Sequence, residues 1–263
     1  MPAIEIASLD DPRLEPYRHL KDTNRTRWAG LFVAEGEKLV RRLLASDYET
    51  ASVLVGRRYA EEFRSLAPEE TPLLIVADDW VEDLVGFNFH RGVLACGRRR
   101  PNPAWQEALP PGGGRATAVV CSDVQDPENL GAILRISSAF GVDLVLLGPR
   151  SADPLSRRVL RVSMGAALSV PLVRSDDLPA DLERLRGEFG LQLAATVLDA
   201  DADPLETARR PARLAILLGS EGHGLERSLV ERCDRRITIP MQRGTDSLNV
   251  AVAAGIFLYH FSR

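Results

Sequence analysis

Residues 116–140 read ATAVVCSDVQDPENLGAILRISSAF. The apolar run Ala118–Cys121 ends in turn and cap formers, Asp123, Asp126 and Pro127. A helix-spaced stretch then runs from Asn129 to Phe140, with Leu130, Ile133 and Leu134 on one stripe. The order strand, loop, helix repeats downstream. Candidate strands at Leu144–Leu147, Val170–Val173, Leu191–Thr196, Leu214–Leu218 and Arg236–Ile239 alternate with candidate helices at Asp153–Val162, Leu178–Glu188, Leu225–Arg232 and Ser247–Phe261. Strands that are apolar throughout, separated by helices, predict an α/β fold with a mostly parallel sheet flanked by helices on both faces. Ligands of such sheets sit at the carboxyl ends of the strands. The loops there are where chemistry is expected.

Upstream, the chain reads as a smaller α/β unit. Glu37–Leu44 spaces Leu39, Val40, Leu43 and Leu44 on one helical face, and Arg57–Leu66 is a second helix. Ala51–Gly56, Leu73–Val76 and Gly92–Cys96 are candidate strands. Between the two regions, Arg98–Arg115 holds four prolines and three glycines, which resist regular structure except for a short helical piece near Trp105–Leu109. The expected organisation is a domain over 1–98, a linker over 99–115 and a second domain over 116–263.

The chain has 263 residues, 45% hydrophobic and 27% charged, which suits folded domains with real cores. No apolar run approaches the roughly 20 residues of a membrane span. MPAIEIASLDD at the start has neither a basic opening nor an apolar signal core. Cys96, Cys121 and Cys233 lie far apart without metal-ligand spacing, so no metal is expected. These features predict a cytoplasmic protein. A net charge of −4 argues mildly against a nucleic-acid partner, but the basic residues cluster. Arg13, Arg18, Lys21, Arg25, Arg27, Lys38, Arg41 and Arg42 face only four acids over 13–42; Arg91 and Arg98–Arg100 form a second group, and Arg150, Arg157, Arg158 and Arg161 a third. Screening lets such patches act locally on phosphate. Each patch also fits a plain solvated face.

Three strand-end segments stand out. In Asp123–Arg135, Arg135 lies about 200° round the helix from Ile133, so it points away from the buried stripe. A capped helix with a surface arginine reads equally well. In Leu217–Leu225 (LLGSEGHGL), three glycines interleave with Ser220, Glu221 and His223 at a strand end. This is neither a dinucleotide fingerprint nor a phosphate-binding P-loop, since the glycine order is wrong and no Gly-Lys-Ser/Thr follows. Glu221, held between glycines, is the better candidate for a polar role; His223 is as readily an exposed loop histidine. In Ile239–Ala251, a strand runs through Pro240 and a loop into a helix, with Ser247 as a plausible N-cap. Asn249 is a polar residue in an apolar helix: it reads as an internal cap or a satisfied core amide, and a buried amide needs partners, so it is expected to bind another loop or a ligand.

In this order the segments resemble the three motifs of the SpoU (TrmH-like) family of RNA ribose methyltransferases. The matches are Asn-Leu-Gly…Arg at Asn129–Arg135, Leu-Gly-x-Glu-Gly-x-Gly-Leu at Leu218–Leu225, and Ile-Pro-Met…Ser-Leu-Asn-Val at Ile239–Val250. Phe32–Leu44 and His90–Ala95 look like that family's N-terminal L30e-like substrate-binding domain. The resemblance implies transfer of a methyl group from S-adenosylmethionine to a ribose 2′-hydroxyl in structured RNA, ribosomal RNA ahead of transfer RNA. It implies a trefoil-knotted C-terminal domain and a homodimer formed through it. Arg135, Asn129, Glu221, Ser247 and Asn249 match catalytic positions; Leu218, Gly219, Gly222, Ile239, Met241 and Leu248 match cofactor positions. Lys21, Arg25, Arg27 and Arg41, in the basic run, are the expected RNA contacts. Two residues depart from the pattern: Ala251 stands where many members have serine, and Gly244 lies one residue late in its loop. The competing readings are a non-catalytic RNA-binding or assembly factor on the same fold, against which the intact polar set argues, and a nucleotide-dependent enzyme, whose glycine turn is missing.

Overall fold

A computed structural model of the chain describes residues 3–18, 20, 27, 29–66, 68–85, 92–109, 112–242 and 246–262. Its contacts divide it into two compact units, residues 1–101 with 155–169, and residues 102–154 with 170–263.

The first unit is built on a mixed five-stranded sheet. Its elements are β1 (Ala3–Glu5), β2 (Leu31–Glu35), α1 (Glu37–Leu44), β3 (Thr50–Gly56), α2 (Ala60–Leu66), β4 (Leu73–Val76), α3 (Trp80–Val85) and β5 (Val93–Arg98). The strand order is β1-β4-β3-β5-β2. β4 pairs in parallel with β1 and β3, whereas β5 runs antiparallel to β3 and β2. A turn of 3-10 helix, Pro12–Tyr17, lays Leu14 and Tyr17 on a core that includes Val33, Leu54, Leu74 and Leu94. The buried Tyr17 hydroxyl finds its partners at Ser52, whose carbonyl accepts at 3.0 Å.

In the second unit, α4 (Trp105–Ala108) leads to β6 (Ala116–Cys121), α5 (Pro127–Ala139) and β7 (Leu144–Leu147). The chain then forms α6 (Arg157–Val162), followed by β8 (Leu172–Arg174), α7 (Leu178–Gly187), β9 (Gln192–Thr196), β10 (Asp203–Pro204), β11 (Arg213–Leu218), α8 (Arg227–Val230), β12 (Arg235–Thr238) and α9 (Val250–Ser262). Seven strands lie in the order β10-β12-β9-β11-β6-β7-β8, and every pair is parallel. β6, β7 and β11 are almost wholly buried, as a doubly covered sheet requires. Ala118, Val120, Leu144, Leu146 and Leu217 pack with Leu178, Leu182 and Leu185 of α7 in one core.

Each expected strand of this sheet is present; Leu144–Leu147 has the expected bounds and the others have shifted ends. The strand expected from Val170 starts at Leu172, after Pro171, whose carbonyl only accepts from Val145 N–H at 2.9 Å. The helix expected from Asp153 starts at Arg157, because Pro154 precedes it and the Ser156 hydroxyl caps it. That helix lies in the first unit, although its sequence falls within 116–263. There Arg157, expected among surface basic residues, donates to the buried Glu35 carboxylate at 2.8 Å and to the Leu20 carbonyl. Among the described residues, no helix is long and apolar enough to cross a membrane.

Candidate active site

The parallel sheet directs three neighbouring strand ends into one space. Thr196–Leu198 after β9, Leu218–Leu225 after β11, and Ile239, Met241 and Asp246–Val250 after β12 line a cavity of about 610 Å³, closed by Ala253 and Phe257 of α9. A volume of that size suits a drug-sized ligand. The charged side chains among its described lining residues are acids, Glu221 and Asp246; no lysine or arginine is among them.

The glycine loop is a tight hairpin. Ser220 and Gly224 exchange both backbone hydrogen bonds, at 3.0 Å each, and Gly224 adopts a φ of +68°. Gly219 sits so close beneath this closure that a Cβ there would stand 2.1 Å from the Gly224 carbonyl carbon. A Cβ on Gly222 would meet nothing within 4 Å. The two glycines therefore differ: one closes the loop, and the other leaves open space at the cavity.

A chain of amides joins the three segments. Asn249 Oδ1 accepts from the backbone N–H groups of Ala251 (2.9 Å) and Val252 (3.3 Å), the first turn of α9. Those donors fix the amide, so Asn249 Nδ2 must face the other way, and it donates to Asn129 Oδ1 at 2.8 Å. Asn129 Nδ2 then donates to Glu221 Oε1 at 2.8 Å. The helix terminus sets the direction of the whole relay, which ends on a carboxylate. Asn249 is thus the N-cap of α9; the expected cap, Ser247, lies upstream of the helix and lines the cavity instead. Beneath the site, burial first and the Glu221 charge second push the Cys121 thiol up to about 12.

Residues 116–259, the whole parallel-sheet region with this site, match the model of the SpoU rRNA methylase family. The chain belongs to that family. An uncharacterised tRNA/rRNA methyltransferase of Mycobacterium bovis is 40% identical to this SpoU methylase, over 98% of this chain and 91% of its own length. A 23S rRNA (guanosine-2′-O-)-methyltransferase of Nitrosomonas europaea is 36% identical over 78% of each chain. The crystal structure of an rRNA methyltransferase from Sinorhizobium meliloti with bound AdoMet superposes with a TM-score of 0.85 at 26% identity, covering 98% of this chain and 97% of that one.

In this SpoU methylase, all six residues matched to cofactor positions, Leu218, Gly219, Gly222, Ile239, Met241 and Leu248, line the cavity. So do Glu221, Ser247 and Asn249, while Asn129 reaches it through its two amide contacts. Arg135 is exposed on α5 and, among the described residues, has no hydrogen-bond or ion-pair partner. His223 is exposed at the cavity, its backbone N–H donating to Ser220 Oγ at 3.2 Å. Of the expected RNA contacts, Lys21 and Arg25 lie outside the described residues, as does Gly244, and Arg27 is exposed. Arg41 is already engaged: it donates to Glu37 at 3.1 Å and to Glu62, and stacks over Phe63. Sequence reasoning missed Thr196, Val197 and Leu198. Their one signal was position, at the carboxyl end of a strand in a parallel sheet.

Proposed function

We propose that this SpoU methylase transfers the methyl group of S-adenosylmethionine to a ribose 2′-hydroxyl of ribosomal RNA. The relay Asn249–Asn129–Glu221 carries the reading, because it fastens the three strand-end segments together around one cavity. Function in the 23S rRNA methyltransferase relative and AdoMet in the S. meliloti structure support it.

The residues present fit S-adenosylmethionine. The described lining is apolar at Leu218, Ile239, Met241, Leu248 and Phe257, offers backbone groups along two loops, and carries acids rather than basic side chains. A cation with a nucleoside suits that set; a polyphosphate does not. Leu218, Gly219, Gly222, Ile239, Met241 and Leu248 would hold it. When bound, it supplies a methyl group already activated on a sulfonium centre.

The protein's own task is then to orient the ribose and stabilise charge on its oxygen. Arg135 is free to take an RNA phosphate and the developing alkoxide with a rigid pair of donors. Asn129, Glu221, Ser247 and Asn249 would shape the site, while Arg135 is not among the residues that line the cavity and would act from α5. The first unit, read as an L30e-like domain, would hold the RNA through Lys21, Arg25, Arg27 and Arg41. A trefoil knot in the second unit is what its SpoU family resemblance implies. Homodimerisation through α9 is supported by Val252, Ile256 and Tyr259, exposed at 52%, 38% and 52% along one helical stripe. Three free cysteines support a cytoplasmic location.

The test incubates the protein with tritiated S-adenosylmethionine and ribosomal RNA and maps the 2′-O-methyl product. Arg135→Ala should abolish label transfer with cofactor binding nearly intact. Normal transfer by that variant would remove Arg135 from the chemistry, and a product on a base would refute the ribose assignment.

A further inference from the structure

The loops that carry Asn129 and Glu221 are tied a second time, by a residue outside the three motifs. Arg150 lies in the turn after β7. One nitrogen of its guanidinium, Nη2, stands 3.0 Å from Asp123 Oδ2 and donates to Glu226 Oε1 at 2.6 Å. Asp123 belongs to the loop between β6 and α5, the helix of Asn129. Glu226 follows the glycine loop directly and occupies the N-cap position of α8. The two loops are therefore held at two points, Asn129–Glu221 and Asp123–Arg150–Glu226.

Arg150 itself stands on a fixed base. Gly148 packs so tightly that a Cβ there would lie 2.0 Å from the Ser122 carbonyl oxygen. Ser151 Oγ donates to the Cys121 carbonyl at 2.9 Å, and Ala152 N–H donates to the Val124 carbonyl at 2.9 Å. From the edge strand β8, the Arg174 guanidinium donates to the carbonyls of Pro149, Ser151 and Ala152 at 3.3–3.4 Å. A turn braced on both sides presents one cation to two acids on different loops.

We propose that Arg150 is a positioning residue, which sets the spacing of the Asp123 and Glu226 loops so that Asn129 meets Glu221. As a role in methyl transfer this rests on the function proposed above. Exposed ion pairs contribute little to overall stability, so the effect belongs in local order and rate rather than in melting temperature. Arg150 is not itself a catalytic residue.

The test uses the full-length Arg150→Ala variant, with Arg150→Lys as the conservative control. Hydrogen exchange without cofactor should be about two- to fivefold faster in peptides covering 121–130 and 218–228, and unchanged elsewhere. Unchanged exchange in both peptides overturns the proposal, whatever becomes of the methylation reading. In ribosomal RNA methylation, Arg150→Ala should lower kcat with the RNA Kd unchanged, and Lys should restore part of it. In an Asn129→Ala background the same substitution should have no further effect on rate. A fall in RNA affinity that persists in that background would make Arg150 a direct RNA contact and overturn the positioning role. If the wild-type protein transfers no methyl group to RNA, the function fails while the exchange result still decides the tie.

Discussion

Replacing Asn249 separates two jobs that one side chain performs. In Asn249→Ala, α9 loses its N-cap, with two backbone donors left bare, at a cost of about 1 kcal/mol within a range of about 0.5–2. The buried Asn129 Oδ1 also loses its donor, adding about 1 kcal/mol for an unsatisfied acceptor. The sum, about 2 kcal/mol, corresponds to a fall of roughly 4–8 °C in Tm for a chain of this size. Asn249→Asp behaves differently. Its carboxylate still accepts from Ala251 and Val252, and its charge suits a helix N-terminus. It has no hydrogen for Asn129, however. Asn129 must either face another acceptor or turn its own oxygen toward Glu221, and both outcomes break the relay. The aspartate variant should therefore melt within about 1 kcal/mol of wild type but methylate about 10- to 100-fold more slowly, as misplacement of a site by an ångström does. Thermal unfolding and initial rates on ribosomal RNA, run on both variants, give the answer. An aspartate variant that melts as low as alanine, or that methylates at the wild-type rate, would refute the reasoning.

The two glycines of the hairpin should part company: Gly219→Ala cannot close against Gly224 and should lose S-adenosylmethionine binding, whereas Gly222→Ala should keep its fold and melting temperature, measured by calorimetry. Arg157→Ala leaves Glu35 buried and unpaired and should destabilise the protein by about 3–5 kcal/mol in urea titration, a loss that Glu35→Gln in the same chain should partly restore. Burial pushes the Cys96, Cys121 and Cys233 thiols up to about 12. A raised folded pKa stabilises fully below the unfolded value and is lost as pH climbs toward the folded one, so Tm should hold to about pH 8 and fall between about pH 9 and 12. Iodoacetamide at about pH 8 should spare the buried Cys96 and Cys121 until urea is added.

The parallel sheet was readable because strands such as Leu214–Leu218 are apolar on both faces and have helices between them. Their ends were less readable, since Pro154 and Pro171 each shorten an element that periodicity alone extends. β1, β2, α3 and the two-residue β10 were not recognised: they are short, and pairing with neighbours defines them more than their composition does. Glycine placement betrayed the hairpin that closes between Ser220 and Gly224 at the cavity. The cap at Asn249 was legible only as one alternative, an internal cap, because Leu248 and Val250 continue the apolar pattern of α9 across it and Ser247 offered an equally good cap two residues earlier. No local pattern could tell that α6 leaves the sheet it is threaded through. Its buried Val159 and Leu160 would suit either core, and its partners in the first unit, among them Glu35, lie far away in sequence.

That threading bears on how the chain is made. A ribosome delivers the N-terminal end first, and domains usually fold as they emerge. Here the first unit is incomplete at residue 101, because residues 155–169 belong to it. Glu35 is synthesised 122 residues ahead of Arg157. Until that arginine leaves the exit tunnel, the carboxylate lacks the guanidinium it meets in the folded protein, and burying it unpaired is costly. The nascent chain therefore adds β6, α5 and β7 before the first unit has all of its residues, and that unit is complete only at residue 169, part-way through the synthesis of the second.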